Sequence, residues 1–326
     1  MAASLRIISK GCGIGLKQNR TLYSKIKTLD LSYLNFRRNA SVVRNIPPKS
    51  FEYCYSLVRQ YDHENYLCTL LLRRDLRAAV IVLRAFNIEV AMVASNVSDP
   101  IRGLGRFQFW REALDGIYSP KGTVPQTPVA QLLNWVANEY QVSKSWLSRL
   151  IEARASNPTS QFKTLVEMDN YYEQVVSSMN YLLLELHGIK DVQADHAASH
   201  LGRCYGMVNL IKVTPSQLSQ GNVMFPHDLL AKHSVSQEDI KRGKNPKGVS
   251  DVVYEIASVA KQHLDKARSL KGNVPNQAMP VFLPSVFCDN YLTNLQKVDF
   301  NVFDPTLNKK RFLYHKLLLQ RFKKTY

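Results

Sequence analysis

The sequence predicts an all-α protein, with a single helical domain over residues 50–304. Three observations carry that expectation. Nothing in this body alternates apolar and polar residues with period two for long, as a half-buried strand would. Helix punctuation recurs instead, with small polar residues before proline and glycine after apolar runs. Apolar residues also return at helical spacing, one face being marked every three or four positions.

The elements follow in order. Helices are expected at roughly 52–73, 76–95, 100–117, 128–139, 144–155, 161–187, 193–213, 226–241, 250–271 and 279–297. Ser98-Asp99-Pro100 offers a cap and a proline in the first turn of the third. Thr127-Pro128 repeats the device before Val129, Leu132, Leu133 and Val136. Ser143 precedes a stripe of Trp146, Leu147, Leu150 and Ile151, and Ser250 precedes Val253, Ile256, Ala257 and Ala260. Gly188 stands just past Leu182, Leu183, Leu184 and Leu186, where a helix C-terminus favours glycine. Asn157-Pro158-Thr159, Gly243 to Gly248 and Lys271 to Pro275 read as loops, and no repeat of fixed period occurs.

With 326 residues and 45% hydrophobic composition, the chain can bury a sizeable core. Its longest apolar run, Ala78 to Leu83, is far short of the roughly 20 residues that cross a bilayer. The net charge of +17 is unevenly placed. Residues 1–49 carry a net +9 and residues 305–326 a net +7, so the body is nearly neutral. A nucleic-acid-binding domain should be basic along a folded face, so no nucleic-acid partner is expected. Five cysteines without C-x-x-C spacing argue for reduced thiols rather than a disulfide framework or zinc finger.

Residues 1–45 read as a mitochondrial targeting presequence. They are rich in Arg, Lys, Ser and Leu, with Asp30 the one acid. On a helical wheel Leu5, Ile8, Cys12 and Leu16 cluster beside Arg6, Lys10, Lys17 and Arg20. The alternative is a basic arm or a membrane-surface segment. Gly11, Gly13 and Gly15 lack the preceding strand and the spacing of a dinucleotide loop.

Two constellations could carry chemistry. His196 and His200 share a helix face at a spacing that can bind zinc, but no third ligand is evident and a structural role is the commoner one. The clusters Gln108-Phe109-Trp110-Arg111 and Tyr171-Tyr172 can line a pocket or fill a core.

Four stretches also resemble the squalene and phytoene synthase family. Leu83-Arg84-Ala85-Phe86-Asn87 is similar to the L-R-A-L-D that opens its first motif. Asn209-Leu210-Ile211-Lys212 is similar to the N-I-I-R of the second, Gln108 to Arg111 to its Q-W-W-R, and Asn222 to Pro226 to its R-x-Y-L-P. The resemblance implies an isoprenoid-synthase-like helical domain around a central cavity, with Arg84, Phe109, Trp110, Tyr171 and Asn209 as candidate lining residues. Family chemistry ionises an allylic diphosphate with Mg²⁺, which needs hard oxygen ligands. The family's D-x-x-E-D positions fall on Asn87, Val90 and Ala91 in the first motif, and on Val213, Ser216 and Gln217 in the second. None is a carboxylate. Glu89, two residues from Asn87, lies roughly 200° round the helix and cannot join that face. The resemblance thus implies a pseudoenzyme without cofactor or bound metal.

Further stretches resemble a mitochondrial branch of the family: Ala85-Phe86-Asn87, Asp195 to His200, Val235 to Asp239, Val298-Asp299-Phe300 and Lys324-Thr325-Tyr326. That branch implies a matrix protein, peripheral on the inner membrane, acting early in the assembly of respiratory complex I. Its partners would be complex I subunits or other assembly factors. The rival readings are a prenyl-diphosphate condensing transferase and an isoprenoid or lipid carrier. The C-terminal tail, 305–326, reads as a basic amphipathic helix with a stripe of Leu313, Tyr314, Leu317 and Leu318. Lys309, Lys310, Arg311, Lys323 and Lys324 are its candidate contacts to anionic inner-membrane lipid or an acidic partner, unless the stripe packs on the body.

Overall fold

A computed structural model describes residues 47–95, 100–158, 161–308, 313–323 and 326. The presequence expected at 1–45, and Lys309, Lys310, Arg311 and Lys324, lie outside the described residues. Fourteen α-helices and no strand occur among the described residues. Contacts group the chain into two compact units, Met1–Ile151 and Glu152–Tyr326.

The N-terminal unit contains α1 (Pro48–Tyr61), α2 (His63–Thr69), α3 (Arg77–Ser95), α4 (Pro100–Tyr118), α5 (Pro128–Tyr140) and the start of α6 (Lys144–Ser156). The helix expected at 52–73 is two helices that begin earlier. Asp62, at φ −137° and ψ 51°, leaves the helical region and breaks α1 from α2. Helix α3 packs on α1, α4 and α5. Its buried residues Ala79, Val80, Val82, Leu83, Ala85 and Phe86 cover more than one face, so the helix is enclosed. Thr127 caps α5, accepting from the Ala130 amide at 3.4 Å, with Pro128 in the first turn.

The C-terminal unit continues with α7 (Leu165–Tyr172), a π-turn (Glu173–Ser177), α8 (Ser178–Leu186), α9 (Val192–Leu218), α10 (His227–Lys232), α11 (Gln237–Lys241), α12 (Pro246–Ser269), α13 (Ser285–Lys297) and α14 (Leu313–Lys323). The element expected at 161–187 therefore starts later and is interrupted by the π-turn. Thr164 caps α7 through the Glu167 amide, and Gly188, at φ +70°, ends α8 as expected. The helix expected at 193–213 runs on to Leu218 through Pro215, with Asp191 accepting from the Ala194 amide at 2.8 Å. The one expected at 226–241 divides around Ser234, whose φ is +51°, and Ser236 with Asp239 builds a capping box for α11. Helix α12 starts at Pro246 rather than 250, because Asn245 caps it through the Gly248 amide at 3.0 Å. The loop expected at Gly243 to Gly248 is thus partly helical. Short 3₁₀ turns occupy Lys271–Asn273 and Asn276–Phe282, so α13 begins later than 279.

Helix α9 is the axis of this unit and packs on α7, the π-turn, α8, α12 and α13. Two glycines permit the approach. A Cβ on Gly202 would overlap Ser177, and one on Gly206 would overlap the Tyr172 ring. No helix among the described residues is long and apolar enough to cross a membrane.

Candidate functional site

In the N-terminal unit the first-motif stretch lies on α3. Arg84 is buried, and its Nη1 donates to Oδ2 of Asp62 at 3.0 Å. Asp62 also accepts from Asn65 Nδ2 at 2.8 Å. The Arg84 Nε is buried with no hydrogen-bond partner among the described residues. Val90, which the resemblance sets at the family's glutamate position, is fully enclosed at 0% exposure. Asn87 and Ala91 are half-buried. Glu89 does face elsewhere: its Oε1 accepts from Tyr53 OH on α1 at 2.8 Å. Burial raises the Glu89 carboxyl above its ordinary range despite that bond. Trp110 is core, edge-on to Phe86 at 5.0 Å, and half-buried Phe109 meets it at 5.3 Å.

In the C-terminal unit the second-motif stretch ends α9. Asn209, Val213 and Ser216 are half-buried, and Gln217 is buried. The Gln217 Oε1 accepts from Asn222 Nδ2 at 3.1 Å, tying the helix end to the loop beyond it. Ser216 Oγ is buried without a partner among the described residues. Lys212 lies over the Tyr291 ring, 5.8 Å from its centre. Tyr171 packs among Phe162 and Tyr172, at 5.3 and 5.5 Å. The candidate lining residues therefore divide between the units: Arg84, Phe109 and Trp110 in one, Tyr171 and Asn209 in the other.

The six motif positions do not fit a Mg²⁺–diphosphate centre. Asn87, Ser216 and Gln217 offer only neutral oxygens, and Val90, Ala91 and Val213 offer none. Among the described residues no group of three or more His, Cys, Asp or Glu side chains is placed to hold a metal ion.

A polar cluster that sequence reasoning missed surrounds the π-turn. Arg203, on α9, pairs with Asp169 Oδ2 and reaches Glu173 Oε2 through its Nε at 3.2 Å. Ser199 and Tyr181 donate to the Glu173 carboxylate at 2.7 and 2.8 Å. His263, on α12, places Nε2 at 3.1 Å from Asp169 Oδ1, while its Nδ1 meets Nδ1 of His200 at 2.8 Å. His200 thus serves a contact between helices, and exposed His196 does not join it there. Burial pushes the Asp169 carboxyl up, but His263 and Arg203 outweigh it and hold the group below its usual value. Glu173 is likewise lowered against burial, by its hydroxyl donors and Arg203. Burial, with His263 and Arg203 nearby, lowers His200 to about 4, so its ring is neutral at pH 7. The sequence signal was present: Asp169 and Glu173 stand four residues apart.

A family model for squalene/phytoene synthase matches residues 58–314. The chain is 42% identical over 276 residues to the Homo sapiens protein named NADH dehydrogenase (ubiquinone) complex I, assembly factor 6, covering 84% of this chain and 82% of that one. It is 33% identical over 282 residues to the Dictyostelium discoideum homolog of that factor, covering 85% and 78%. A solved dehydrosqualene synthase in complex with ligand gives a TM-score of 0.71 at 17% identity, over 90% of this chain and 98% of that one. A squalene synthase from Alicyclobacillus acidocaldarius gives 0.68 at 19% identity, over 80% and 99%. These two likenesses speak to the fold, which is that of isoprenoid synthases. With the family model spanning most of its length, the chain belongs to the squalene/phytoene synthase family.

Proposed function

We propose that this chain is a non-catalytic factor for the assembly of mitochondrial respiratory complex I, acting at an early step. The observation that carries the reading is the name shared by relatives that align over more than four-fifths of the chain. The chemistry agrees with it. An allylic diphosphate leaves as a dense anion, and a carboxylate-free pair of motifs cannot gather the Mg²⁺ that neutralises it. Val90 in particular sits in closed core, where no ligand could be supplied by a small adjustment.

In this reading residues 1–45 direct the chain into mitochondria, residues 50–304 form the binding domain, and the tail at 305–326 contacts membrane or partner. The protein works on the matrix side, peripheral to the inner membrane, with complex I subunits or other assembly factors as partners.

Loss of the protein from its own cells should deplete assembled complex I on native gels, and re-expression should restore it. A purified chain that turned over farnesyl or geranylgeranyl diphosphate with Mg²⁺ would overturn the non-catalytic reading. Sequencing the mature N-terminus should find a start between about residues 25 and 48, as a cleaved targeting segment of this length requires.

A further inference from the structure

Helix α14 uses one face to hold itself on the C-terminal unit and leaves another apolar face uncovered. It packs on α13, with Leu317 buried at 3% exposure. The chain end pins it further: the Tyr326 ring stacks on Phe282 at 4.4 Å, and its hydroxyl donates to the Ala267 carbonyl at 3.2 Å. The stripe expected to bind a membrane therefore includes a residue spent on packing. A second apolar pair does not. Phe322 is 82% exposed and Leu319 56%. At 100° per residue the two lie about 60° apart and roughly 140–200° from Leu317, on the outward side. His315 and Lys323 are exposed beside them, and exposed Lys316 donates to Asn290 Oδ1 on α13 at 3.3 Å.

We propose that this outward face of α14 docks on an anionic lipid surface. Charge selects that occupant, because residues 305–326 carry seven basic residues and no acid. Size selects it over a protein. A specific protein interface takes roughly 800 Å² from each partner, which two apolar side chains and a short basic rim do not supply. Shallow insertion of Phe322 and Leu319 at the headgroup boundary, with Lys323 at the charged plane, needs no larger area. The inference deepens the reading of a protein peripheral to the inner membrane and rests on it.

The test is sedimentation of the purified full chain with phosphatidylcholine vesicles, with and without cardiolipin. The wild type should pellet with the anionic vesicles and only weakly with neutral ones, and binding should fall steeply as salt rises from about 50 to 200 mM. Phe322→Ser with Leu319→Ser should weaken partitioning by about tenfold or more while leaving the thermal midpoint unchanged. Lys323→Gln should weaken it about twofold to fivefold and flatten the salt dependence. Binding unchanged by Phe322→Ser with Leu319→Ser, or equal on neutral vesicles, would overturn the docking face. Absence of vesicle binding, with complex I still dependent on the protein in cells, would overturn it and leave the assembly role standing. Vesicle binding as described, with complex I indifferent to loss of the protein, would do the reverse.

Discussion

Two helical stretches in this chain stand in opposite relation to charge. The stretch on α3 that resembles the first motif has no carboxylate at Asn87, Val90 or Ala91, and Val90 is closed into apolar core. The Asp169–Glu173 stretch, from α7 into the π-turn, keeps carboxylates four residues apart, a spacing that places two oxygen ligands on one side of a helix. Yet Arg203 pairs with both carboxylates, Ser199 and Tyr181 donate to Glu173, and His263 Nε2 stands 3.1 Å from Asp169 Oδ1. Spacing alone therefore does not make a metal site. What decides is whether the opposing helix brings a donor or leaves a gap.

The largest way to break this contrast is to place charge on the core face of α3. Val90→Glu would place a carboxylate in closed core with no cation prepared for it. Burying an uncompensated charge is among the few single changes that cost about 4 kcal/mol or more. The expected outcome is loss of cooperative unfolding or a chain that does not accumulate folded, seen by circular dichroism, and no gain of Mg²⁺ binding. A folded Val90→Glu protein that bound Mg²⁺ would show the α3 site to be latent rather than lost.

The converse change is made at the cluster. Arg203→Met keeps an unbranched apolar stem and removes the charge shared by Asp169 and Glu173. Since these groups are partly exposed, with side-chain exposures of 24%, 18% and 15%, the cost is below that of a fully buried pair. About 2–4 kcal/mol is expected by chemical denaturation. Adding Asp169→Asn should recover part of it, because one of the two stranded carboxylates is then gone.

The helical stripes of α5 and α6 were legible because burial there repeats at a single period along the chain. The motif residues were legible for the same local reason: Asn87, Val90 and Ala91 share one helix. The cluster was not, because Arg203 reaches Asp169 and Glu173 across 34 and 30 residues of sequence. The π-turn was hidden too. No residue type encodes it, and what accompanies it is the close approach of α9 at Gly202 and Gly206. The break at Asp62 was misread because both flanks have helical patterning. Gly206→Ala tests the approach directly. Its Cβ would enter the Tyr172 ring, and overpacking of this kind costs about 1–3 kcal/mol. A substitution without effect on the thermal midpoint would mean that the two helices can separate freely.

The smallest expected effect concerns protons, and it separates His200 from the carboxylates. His200 has its folded value lowered to about 4, with burial as the leading cause and His263, Arg203, Lys266 and His196 adding to it. In the unfolded chain it titrates near 6.5. Between these values the unfolded state holds the extra proton, so stability is fully present above about pH 6.5 and declines as pH falls toward about 4. The ring is half-buried and still reached by solvent, so screening reduces the loss to about 1–2 kcal/mol. Asp169 and Glu173 have lowered folded values, so their contribution is lost only at more acid pH, as they are protonated. The two losses have the same sign but different windows. Denaturation midpoints measured at steps from pH 7.5 to 2 should decline in two stages. His200→Asn should flatten the upper stage while the lower persists, and Asp169→Asn should act chiefly on the lower. If His200→Asn left the whole profile unchanged, the imidazole contact between α9 and α12 would carry no proton linkage, and the cluster would be a matter of Arg203 and its two carboxylates alone.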